Sequence, residues 1–297
     1  MSIKTTINTP ENTLNYMKYV EIENDTRYPA VTGGQGQGVF NKSAVLVQQI
    51  DPLGLDIGSQ SGIDYIEKFG ANLSVNADLE TIWDAGGVYT YLTTASKLSA
   101  ISDNLEDSLI GTGARLIEVE GLDVNYNTIT EVISCNATDG RNGGPESVNE
   151  FLRVYRAAVR TAGATGTNKG VITIDANIGP IIAIGTHGNG NNEEGFGQSQ
   201  TSVYTIPAGK TGYLTQWSVG SSDVTAPIHA FLKFSEPSIG GNILRTKDIM
   251  FLNNYSIKNY IVPLQVSEKT DIEVRAYSKS GTGSDVSTSY NIILVDN

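Results

Sequence analysis

The sequence predicts a mainly β protein, with two antiparallel β-sandwich or jelly-roll-like domains preceded by an extended N-terminal arm. Polar and apolar residues alternate over short runs, as in TIPAGKTGYLTQWSVG from Thr205, and such alternation is typical of half-buried antiparallel strands. Turn residues separate these runs at intervals of about 8–12 residues, as in sandwiches and jelly rolls. The 297 residues include 32 glycines and only 18% charged residues, which suits sheets and turns better than long surface helices.

The residue pattern of 1–68 differs from that of the remaining chain and predicts the N-terminal arm. Their apolar residues show no sustained period, the Gly/Gln-rich segment GGQGQG interrupts them at 33–38, and only residues 43–50 resemble a strand. Disordered tails are usually poor in aromatic residues, whereas this region contains Tyr16, Tyr19, Tyr28 and Phe40. We therefore expect an arm that becomes ordered against a partner, with a disordered tail as the alternative.

Residues 69–185 predict the first β-sandwich domain. Short strands are expected around Ile82–Trp83 and Val88–Leu92, separated by Gly86–Gly87. The clearest hairpin is ARLIEVEGLDVNYNTITEVISCN from Ala114, in which two alternating arms flank the turn-forming GLDVNYN.

Two further segments complete this domain. The apolar residues of 151–163 fit either one face of a helix or one side of a strand. A strand is favoured because glycine-rich turns soon follow the segment and its neighbours are strands. Residues 169–176 predict another strand, which ends the domain.

Residues 186–297 predict the second, jelly-roll-like domain. The glycine- and asparagine-rich stretch over 184–202 is expected to be a linker or a long exposed loop. Tight turns with Pro or Gly then separate strands near 202–206, 210–219, 228–235, 244–252, 257–266, 270–279 and 287–295.

Charge and cysteine content exclude several classes of function. The net charge is −12 with a pI near 4.6. No run of basic residues offers the charge that neutralises phosphates, so we expect no nucleic-acid partner. Cys135 is the only cysteine, which excludes an intrachain disulfide and a cysteine-based zinc site. The apolar runs are shorter than the ~20 residues of a membrane helix and no signal-peptide pattern is present, so we expect a soluble protein from a reducing compartment and no membrane partner.

The sequence indicates neither nucleophilic catalysis nor phosphate binding. It has no G-x-S-x-G elbow, and its two histidines leave little for acid–base chemistry. His229 alternates with apolar residues on a predicted strand and is interpreted as structural, whereas His187 lies in a glycine-rich loop and is interpreted as solvated. The GGQGQG segment lacks a following Lys-Ser/Thr and a helix, which argues against a phosphate-binding loop.

Two polar clusters have both a functional and a structural interpretation. Glu118 and Glu120 share one face of a strand, and paired carboxylates serve glycosidases, but a solvated sheet face is more common. Asp123, Asn125 and Asn127 alternate like the start of a calcium loop, yet the glycine and glutamate of an EF-hand are missing, which favours a hairpin turn. We predict no catalytic residue, no metal ligand and no cofactor, and leave open the binding of a structural cation.

Two tryptophans are candidates for a contact surface, because both lie on or beside predicted strands. Exposed tryptophans form stacking platforms in sugar-binding sandwiches, whereas core or interface positions are more common for this residue. The candidate interaction residues are therefore Tyr16, Tyr19, Tyr28, Phe40, Trp83 and Trp217.

Five segments of the chain carry a family resemblance. They are LETIWDAGGVYTYLTTASKLS, GTGARLIEVEGLDVNYNTITEVISCNAT, FLRVYRAAVRTAGATGTNKGVITI, YTIPAGKTGYLTQWSV and VPLQVSEKTDIEVRAYSKSGTGSDVSTSYNIILVDN. In this order they resemble a group of tailed-phage virion structural proteins that is common among marine phages. The resemblance covers about residues 79–297 and does not extend to the first 68. It implies a particle component that is present in many copies and assembled in the host cytoplasm, and it transfers no catalytic residue.

Together these observations predict a non-enzymatic structural component of a tailed-phage virion. We expect a capsid-associated decoration or cement protein that docks through its N-terminal arm and forms a homo-oligomer, a trimer or a larger ring. Its partners would be other virion proteins, namely major capsid, portal or tail components. The alternatives are a portal, neck or tail accessory protein, a receptor- or glycan-binding module, and a tail-borne enzyme that cuts polysaccharide.

Overall fold

The structure of the protein is a computed structural model that describes residues 4–6, 18–22, 26–30, 62–136, 145–176, 179–187, 194–237, 243–281 and 283–297. Regular structure in these ranges consists of β-strands, nearly all antiparallel, and the ranges contain no α-helix. The prediction of a mainly β, antiparallel fold is therefore confirmed. The chain divides into two compact units, residues 1–57 and 58–297.

In the first unit, β1 (Lys4–Thr6), β2 (Lys18–Ile22) and β3 (Thr26–Ala30) form one antiparallel sheet in chain order. The sequence predicted an extended arm without these strands, because the apolar residues here lack a period. Backbone hydrogen bonds between neighbouring strands do not depend on such a period. The strand predicted over 43–50 lies outside the described residues, and ordering of this region against a partner stays a prediction.

The second unit contains the remaining strands. Those before residue 200 are β4 (Ile63–Val75), β5 (Glu80–Thr81), β6 (Ser99–Ser102), β7 (Ala114–Leu122), β8 (Thr128–Asn136), β9 (Arg153–Ala162), β10 (Ile172–Asp175), β11 (Pro180–Ile184), β12 (Thr186–His187) and β13 (Glu194–Gly195). Those after it are β14 (Tyr204–Thr205), β15 (Lys210–Ser221), β16 (Ile228–Ser235), β17 (Arg245–Leu252), β18 (Tyr255–Val266), β19 (Asp271–Ser278) and β20 (Ser284–Asp296).

A six-stranded sheet encloses the first hydrophobic core. Its order is β11-β10-β6-β8-β7-β9, and every neighbouring pair is antiparallel except β6 and β8. The end strands β9 and β11 approach each other, so the sheet curls around its inner face. Fully buried side chains of this core include Leu98, Ile117, Phe151, Ile172, Ile182 and Ile184.

Two packed antiparallel sheets enclose the second core, as in a β-sandwich. One has the order β14-β19-β16-β17, with β5 also paired to β19, and the other has the order β18-β15-β20-β4. Trp217 and Tyr290 are fully buried between them. Their polar atoms are satisfied, because Trp217 Nε1 donates to Thr288 Oγ1 (3.1 Å) and Tyr290 Oη donates to the carbonyl of Ser202 (3.0 Å).

Most predicted strands are confirmed. The hairpin predicted from Ala114 is β7 and β8, whose register pairs Ile117 with Ile133. The ambiguous segment 151–163 contains β9, and the strand predicted over 169–176 contains β10. Every strand predicted for the second domain is also present, as β14 to β20.

Two predictions on the first core are wrong. Residues 88–92 form no strand, because positive φ at Gly86 and Gly87 turns the chain and the N–H of Tyr89 bonds to the side-chain hydroxyl of Thr81 on β5 (2.8 Å) instead of a backbone carbonyl of a neighbouring strand. The second wrong prediction concerns residues 184–202, which were expected to be a linker or an exposed loop. Residues 195–202 of this stretch are packed against the rest of the chain. Its backbone bonds to β9, for example from the buried Ser199 to the carbonyl of Ala157 (2.8 Å).

Strand β4 belongs to the second sandwich although it precedes the first core in sequence. It begins at Ile63, inside the predicted arm, and pairs with β20. At Gly70 it crosses another chain segment so closely that a Cβ would lie 2.4 Å from Ser202 N and 2.5 Å from Ile82 O. Only glycine fits this crossing. Both cores thus lie in one compact unit, and the domain division at residue 185 stays a prediction.

A buried ion pair joins the two cores. Arg153 on β9 donates from Nε to Asp271 Oδ1 (2.8 Å) and from Nη2 to Asp271 Oδ2 (3.1 Å). Its Nη1 donates to the carbonyls of Leu92 (2.8 Å) and Leu152 (2.9 Å), and Asp271 also accepts a hydrogen bond from the Thr205 hydroxyl (2.7 Å). Since both side chains are only 9% exposed, this bidentate pair fixes β9 against the start of β19.

Candidate interaction surface

Exposed apolar side chains are concentrated on β17 and β18, which are edge strands of the two sandwich sheets. We call the following residues the edge surface: Ile249, Phe251, Tyr255, Ile257, Ile261 and Val262. Ile261 and Val262 are 99% and 79% exposed. Apolar residues scattered singly on a surface are normal, whereas a group of them on two consecutive edge strands marks an interaction site.

A large bulge places the two most exposed side chains of this surface. Thr215 of β15 stands opposite four residues of β18, Tyr260–Pro263. The extra residues of a bulge leave the hydrogen-bonded ladder, so Ile261 and Val262 project into solvent. Pro263 has no N–H to offer another strand. Bulges and prolines protect an edge from strand addition, so a partner at this site would contact side chains rather than backbone.

Asp248 connects the two edge strands. Its Oδ2 accepts hydrogen bonds from Lys258 Nζ (2.5 Å) and Tyr260 Oη (2.6 Å). Burial acts to raise the pKa of Asp248, but these hydrogen bonds hold the pKa below its ordinary value. The carboxylate is therefore ionised at neutral pH and holds the bulged strand against β17.

Aromatic rings continue the apolar surface across the outer face of β16, β17 and β19. The ring of His229 lies between those of Phe251 (4.4 Å between centroids) and Tyr277 (5.0 Å), and Nδ1 is 2.8 Å from Tyr277 Oη. Phe231 stacks on Tyr277 at 6.0 Å. Burial, and then the charge of Lys279, lower the pKa of His229, which favours the neutral ring at pH 7. Aromatic side chains of this kind are enriched at protein interfaces.

A trough lies on the outer face of the other sandwich sheet, near the start of β18. Its volume is about 270 Å³. Ala71, Gly220 and Ser287 share one cross-strand row of its floor, and Leu73 and Tyr255 also line it. Because the floor residues are small, the trough can receive side chains from a partner.

The tryptophans predicted for interaction both lie in the cores. Trp217 is fully buried, and Trp83 is 4% exposed. Trp83 Nε1 donates to the carbonyl of Gly87 (3.1 Å), and its ring meets Tyr89 edge to face at 5.1 Å. Neither tryptophan presents a ring face to solvent, so these two rings do not form the stacking platform of a sugar-binding sandwich.

The aromatic residues predicted for docking in the arm remain untested. Tyr19 lies on β2 and Tyr28 lies on β3, whereas Tyr16 and Phe40 lie outside the described residues. The sequence interpretation missed the edge surface, although a signal was present. Residues 260–264, YIVPL, form an uninterrupted apolar run with a proline on a predicted strand, which breaks the alternation of a half-buried strand.

The carboxylates considered for catalysis are bound by arginines. Arg156 on β9 contacts both Glu118 (Nη1 to Oε1, 3.8 Å) and Glu120, and Arg160 Nη1 lies 3.4 Å from Glu118 Oε2. All four side chains are partly exposed on one sheet face. This arrangement is a structural ion-pair network, and the expectation that the protein is not an enzyme stays a prediction.

The described part of the chain contains no group of three or more His, Cys, Asp or Glu placed to hold a metal ion. The calcium-like stretch forms a turn, because Asp123 Oδ1 accepts hydrogen bonds from the N–H groups of Asn125 (2.8 Å) and Asn127 (2.9 Å). Burial raises the pKa of Cys135 to about 12, so its thiol stays protonated. Across the described ranges, no helix has the length and hydropathy to cross a bilayer.

Two ionisable groups, the buried Lys68 and the partly buried Asp84, lie where β4 crosses the first core. Lys68 Nζ donates to the carbonyl of Tyr155, and burial lowers the pKa of Lys68 to about 7. Burial raises the pKa of Asp84 to about 7, against the effect of hydrogen bonds from the N–H groups of Gln200 (3.0 Å) and Gly185 (3.1 Å). Sequence reasoning did not identify these groups, because the burial of a charge depends on tertiary contacts.

No family model and no curated protein matches the sequence. Solved structures that compare with the chain include infectious bursal disease virus of the Gx strain, at 10% identity and a TM-score of 0.19 over 79% of this chain and 72% of that chain. A VP2 mutant of the same virus in derived T=1 particles compares at 12% identity and a TM-score of 0.13, over 84% and 85%. Both are structures of a virus or a viral protein, but TM-scores this low support no conclusion on fold or function.

Proposed function

We propose that the chain is a non-enzymatic structural component of a virus particle, which docks in the particle through residues 1–57 and contacts a further partner there through the edge surface. The observation that carries this proposal is the exposure of Ile261 and Val262 on a bulged edge strand, at 99% and 79%. Fully burying a Val or Ile side chain is worth about 1.5–3 kcal/mol. Covering these two side chains with a partner would recover that free energy, whereas the isolated chain forgoes it.

The particle is inferred from the resemblance of residues 79–297 to tailed-phage virion structural proteins. The architecture supports this inference, because a virion protein must fold in a reducing cytoplasm and then persist outside it. Two hydrophobic cores and the Arg153–Asp271 pair stabilise the chain without a disulfide. A net charge of −12 also limits adsorption to nucleic acid and to other acidic particles.

Within the particle, we infer a capsid-associated decoration or cement role, with docking through residues 1–57. Segments that contain short strands can bind a partner by adding to its sheets, and β1 to β3 are such strands. The major capsid protein would then be the docking partner. A portal, neck or tail position is the alternative within the same proposal.

Locating the full-length chain in purified particles tests the proposal. We expect the tagged chain to co-sediment with particles from an infected-host lysate and to be seen in many copies on the capsid by labelled-antibody imaging. Recovery of the chain only in the soluble fraction would refute the proposal. A variant without residues 1–57 tests the docking role, and we expect it to fold by circular dichroism but to stay off particles. Normal incorporation of this variant would assign docking to another surface.

A further inference from the structure

We propose that the cavity between the two cores binds one neutral sugar residue, for example the end of an uncharged glycan. Leu92 and Leu152 line the cavity from the first core, and Ser235 and Asp271 line it from strands of the second sandwich. Ligand sites often lie at such junctions. The site is separate from the edge surface, so the inference goes beyond the proposed function and does not depend on it.

The cavity has the size of a small-ligand site and opens to solvent. Its volume is about 380 Å³, near the lower end of the ~300–1,000 Å³ that is usual for ligand pockets. An apolar cavity of ~150 Å³ takes up benzene, so this one has room for a six-membered ring that carries hydroxyl groups. Thr93 in the lining is exposed, which places an entrance at this residue.

The buried ion pair gives this cavity a hydrogen-bond donor and an acceptor side by side. Arg153 and Asp271 both line the cavity, and each side chain is only 9% exposed. Among the residues that the structure describes, Arg153 Nη2 donates only to Asp271 Oδ2, and that oxygen accepts only from Nη2. Each atom therefore keeps the capacity for one more hydrogen bond. A donor beside an acceptor matches two neighbouring hydroxyls of a sugar ring, because a hydroxyl can both donate and accept.

The rest of the lining favours a ligand that is uncharged and partly apolar. The rings of Tyr91 and Tyr126 lie around the Arg153 guanidinium, with their centroids 5.1 and 5.7 Å from its Cζ atom. These rings and the leucines form apolar walls, which suit the C–H groups of a sugar ring. The charges of Arg153 and Asp271 cancel, and no other charged side chain of the described ranges lines the cavity. An ionised ligand would therefore lose its hydration without gaining a counter-charge.

The backbone of Tyr126 gives an independent reason to place a ligand here. Its φ is 66°, and among the non-glycine residues that the structure describes only Lys269, at 61°, shares this left-handed conformation. Tyr126 ends a turn in which its N–H bonds to the carbonyl of Asp123 (3.0 Å), a position that glycine usually occupies. Lys269 Nζ lies 5.8 Å from the centroid of the Tyr126 ring, so the two strained residues meet beside the cavity. Because strained backbone is concentrated at ligand sites, we take the Tyr126 ring to be a wall of such a site.

Titration of the full-length chain with simple sugars tests the site. The probes are the methyl glycosides of glucose, galactose, mannose and N-acetylglucosamine, with binding detected by saturation-transfer NMR and measured by isothermal titration calorimetry. We expect at least one of these four to bind with a Kd of about 0.1–10 mM, as for a ligand with few hydrogen bonds. The methyl glycosides of glucuronic acid and glucosamine carry a negative and a positive charge. Both should bind at least about 10-fold more weakly, because the cavity offers them no counter-charge.

Two variants change the cavity in different ways. Tyr126→Gly removes the ring together with the strained φ, and Thr93→Trp fills the entrance. Each should weaken sugar binding about 10-fold or more, because each removes apolar contact or room for the ring. Val124→Gly is the matched control, since Val124 belongs to the same turn, is 62% exposed and lies outside the lining. It should bind sugar like the wild type.

Tyr126→Gly separates a binding role from a packing role, because glycine adopts positive φ without strain. We expect a thermal midpoint within about 3 °C of the wild type, together with the loss of sugar affinity. Wild-type affinity in Tyr126→Gly or in Thr93→Trp would overturn the inference, and so would weakened binding in Val124→Gly. Failure of all four neutral probes to bind at about 50 mM, or equal affinity for a charged analogue, would also overturn it. If Tyr126→Gly does not fold, the affinity of Thr93→Trp decides by the same criterion.

Discussion

The substitution Asp271→Asn tests whether the buried ion pair holds the two cores together. The change keeps the shape of the side chain and removes its charge, so the Arg153 guanidinium stays buried without a counterion. Breaking a buried pair by removing one partner costs about 3–5 kcal/mol. We expect a cost near the lower value, about 3 kcal/mol, because Arg153 keeps its bonds to the carbonyls of Leu92 and Leu152 (2.8 and 2.9 Å).

Urea unfolding followed by tryptophan fluorescence measures this cost core by core. Trp83 belongs to the first core and Trp217 to the second, so Trp83→Phe and Trp217→Phe backgrounds each leave a reporter in one core. At a slope of about 3 kcal/mol per molar urea, a loss of about 3 kcal/mol lowers the midpoint by about 1 M. With Asp271 present, Trp83 and Trp217 should report the same unfolding transition. If the two tryptophans report different transition midpoints in Asp271→Asn, the Arg153–Asp271 pair couples the two cores.

Asp64→Asn is the matched control for this experiment. Asp64 Oδ2 also accepts a charged hydrogen bond, from Lys210 Nζ at 2.7 Å, but the Asp64 side chain is 54% exposed. Surface pairs contribute about 0–1 kcal/mol, so the control should unfold almost like the wild type. A cost of Asp271→Asn no larger than that of Asp64→Asn would refute the claim that the buried pair stabilises the fold.

Three further predictions concern single residues of the second unit. Folding raises the pKa of Asp84 from 3.8 to about 7, so the stability that the protonated side chain contributes is lost as pH rises from about 4 to 7. In Asp84→Asn, the melting temperature should no longer fall over this pH range, and a variant with the same pH profile as the wild type would contradict the prediction. Gly70→Ala should destabilise by about 3 kcal/mol or prevent folding, because its methyl group would overlap backbone atoms. Gly220→Ala is its control, with no contact below 3.4 Å, and equal stability of the two variants would exclude the tight crossing. Trp217→Ala should cost about 3–5 kcal/mol in urea unfolding, and a variant of wild-type stability with selectively lost binding on a glycan array would contradict its core role.

The local pattern of the chain was enough to predict most of the strands. In β7 and β8, residues of alternating polarity and a turn with Asp123 specify a hairpin within about twenty residues, and the register follows from which face is apolar. The strands β15 to β20 were predictable for the same reason. Backbone geometry places successive side chains on opposite faces of a strand, so a strand with one buried face has apolar residues at every second position.

Packing overrode this pattern wherever a segment met a distant part of the chain. Residues 88–92 alternate like a strand, yet the N–H of Tyr89 bonds to the side-chain hydroxyl of Thr81 rather than to the backbone of a neighbouring strand. The first six residues of β4, 63–68, were assigned to the arm, because the sequence near Ile63 does not show that its neighbour is β20, more than two hundred residues away.

The sequence by itself therefore determined the all-β class, the turns and most of the strands, because these depend on near neighbours in the chain. Only the tertiary structure decided which apolar residues are core and which are surface. Trp217 and Ile261 both lie on predicted strands. Trp217 is on β15, which pairs with a strand on each side, whereas Ile261 is in the bulge of the edge strand β18. The tertiary structure also decided which charges are buried, such as those of Arg153 and Asp271. Desolvation depends on every element packed around a group and not on the group's own segment.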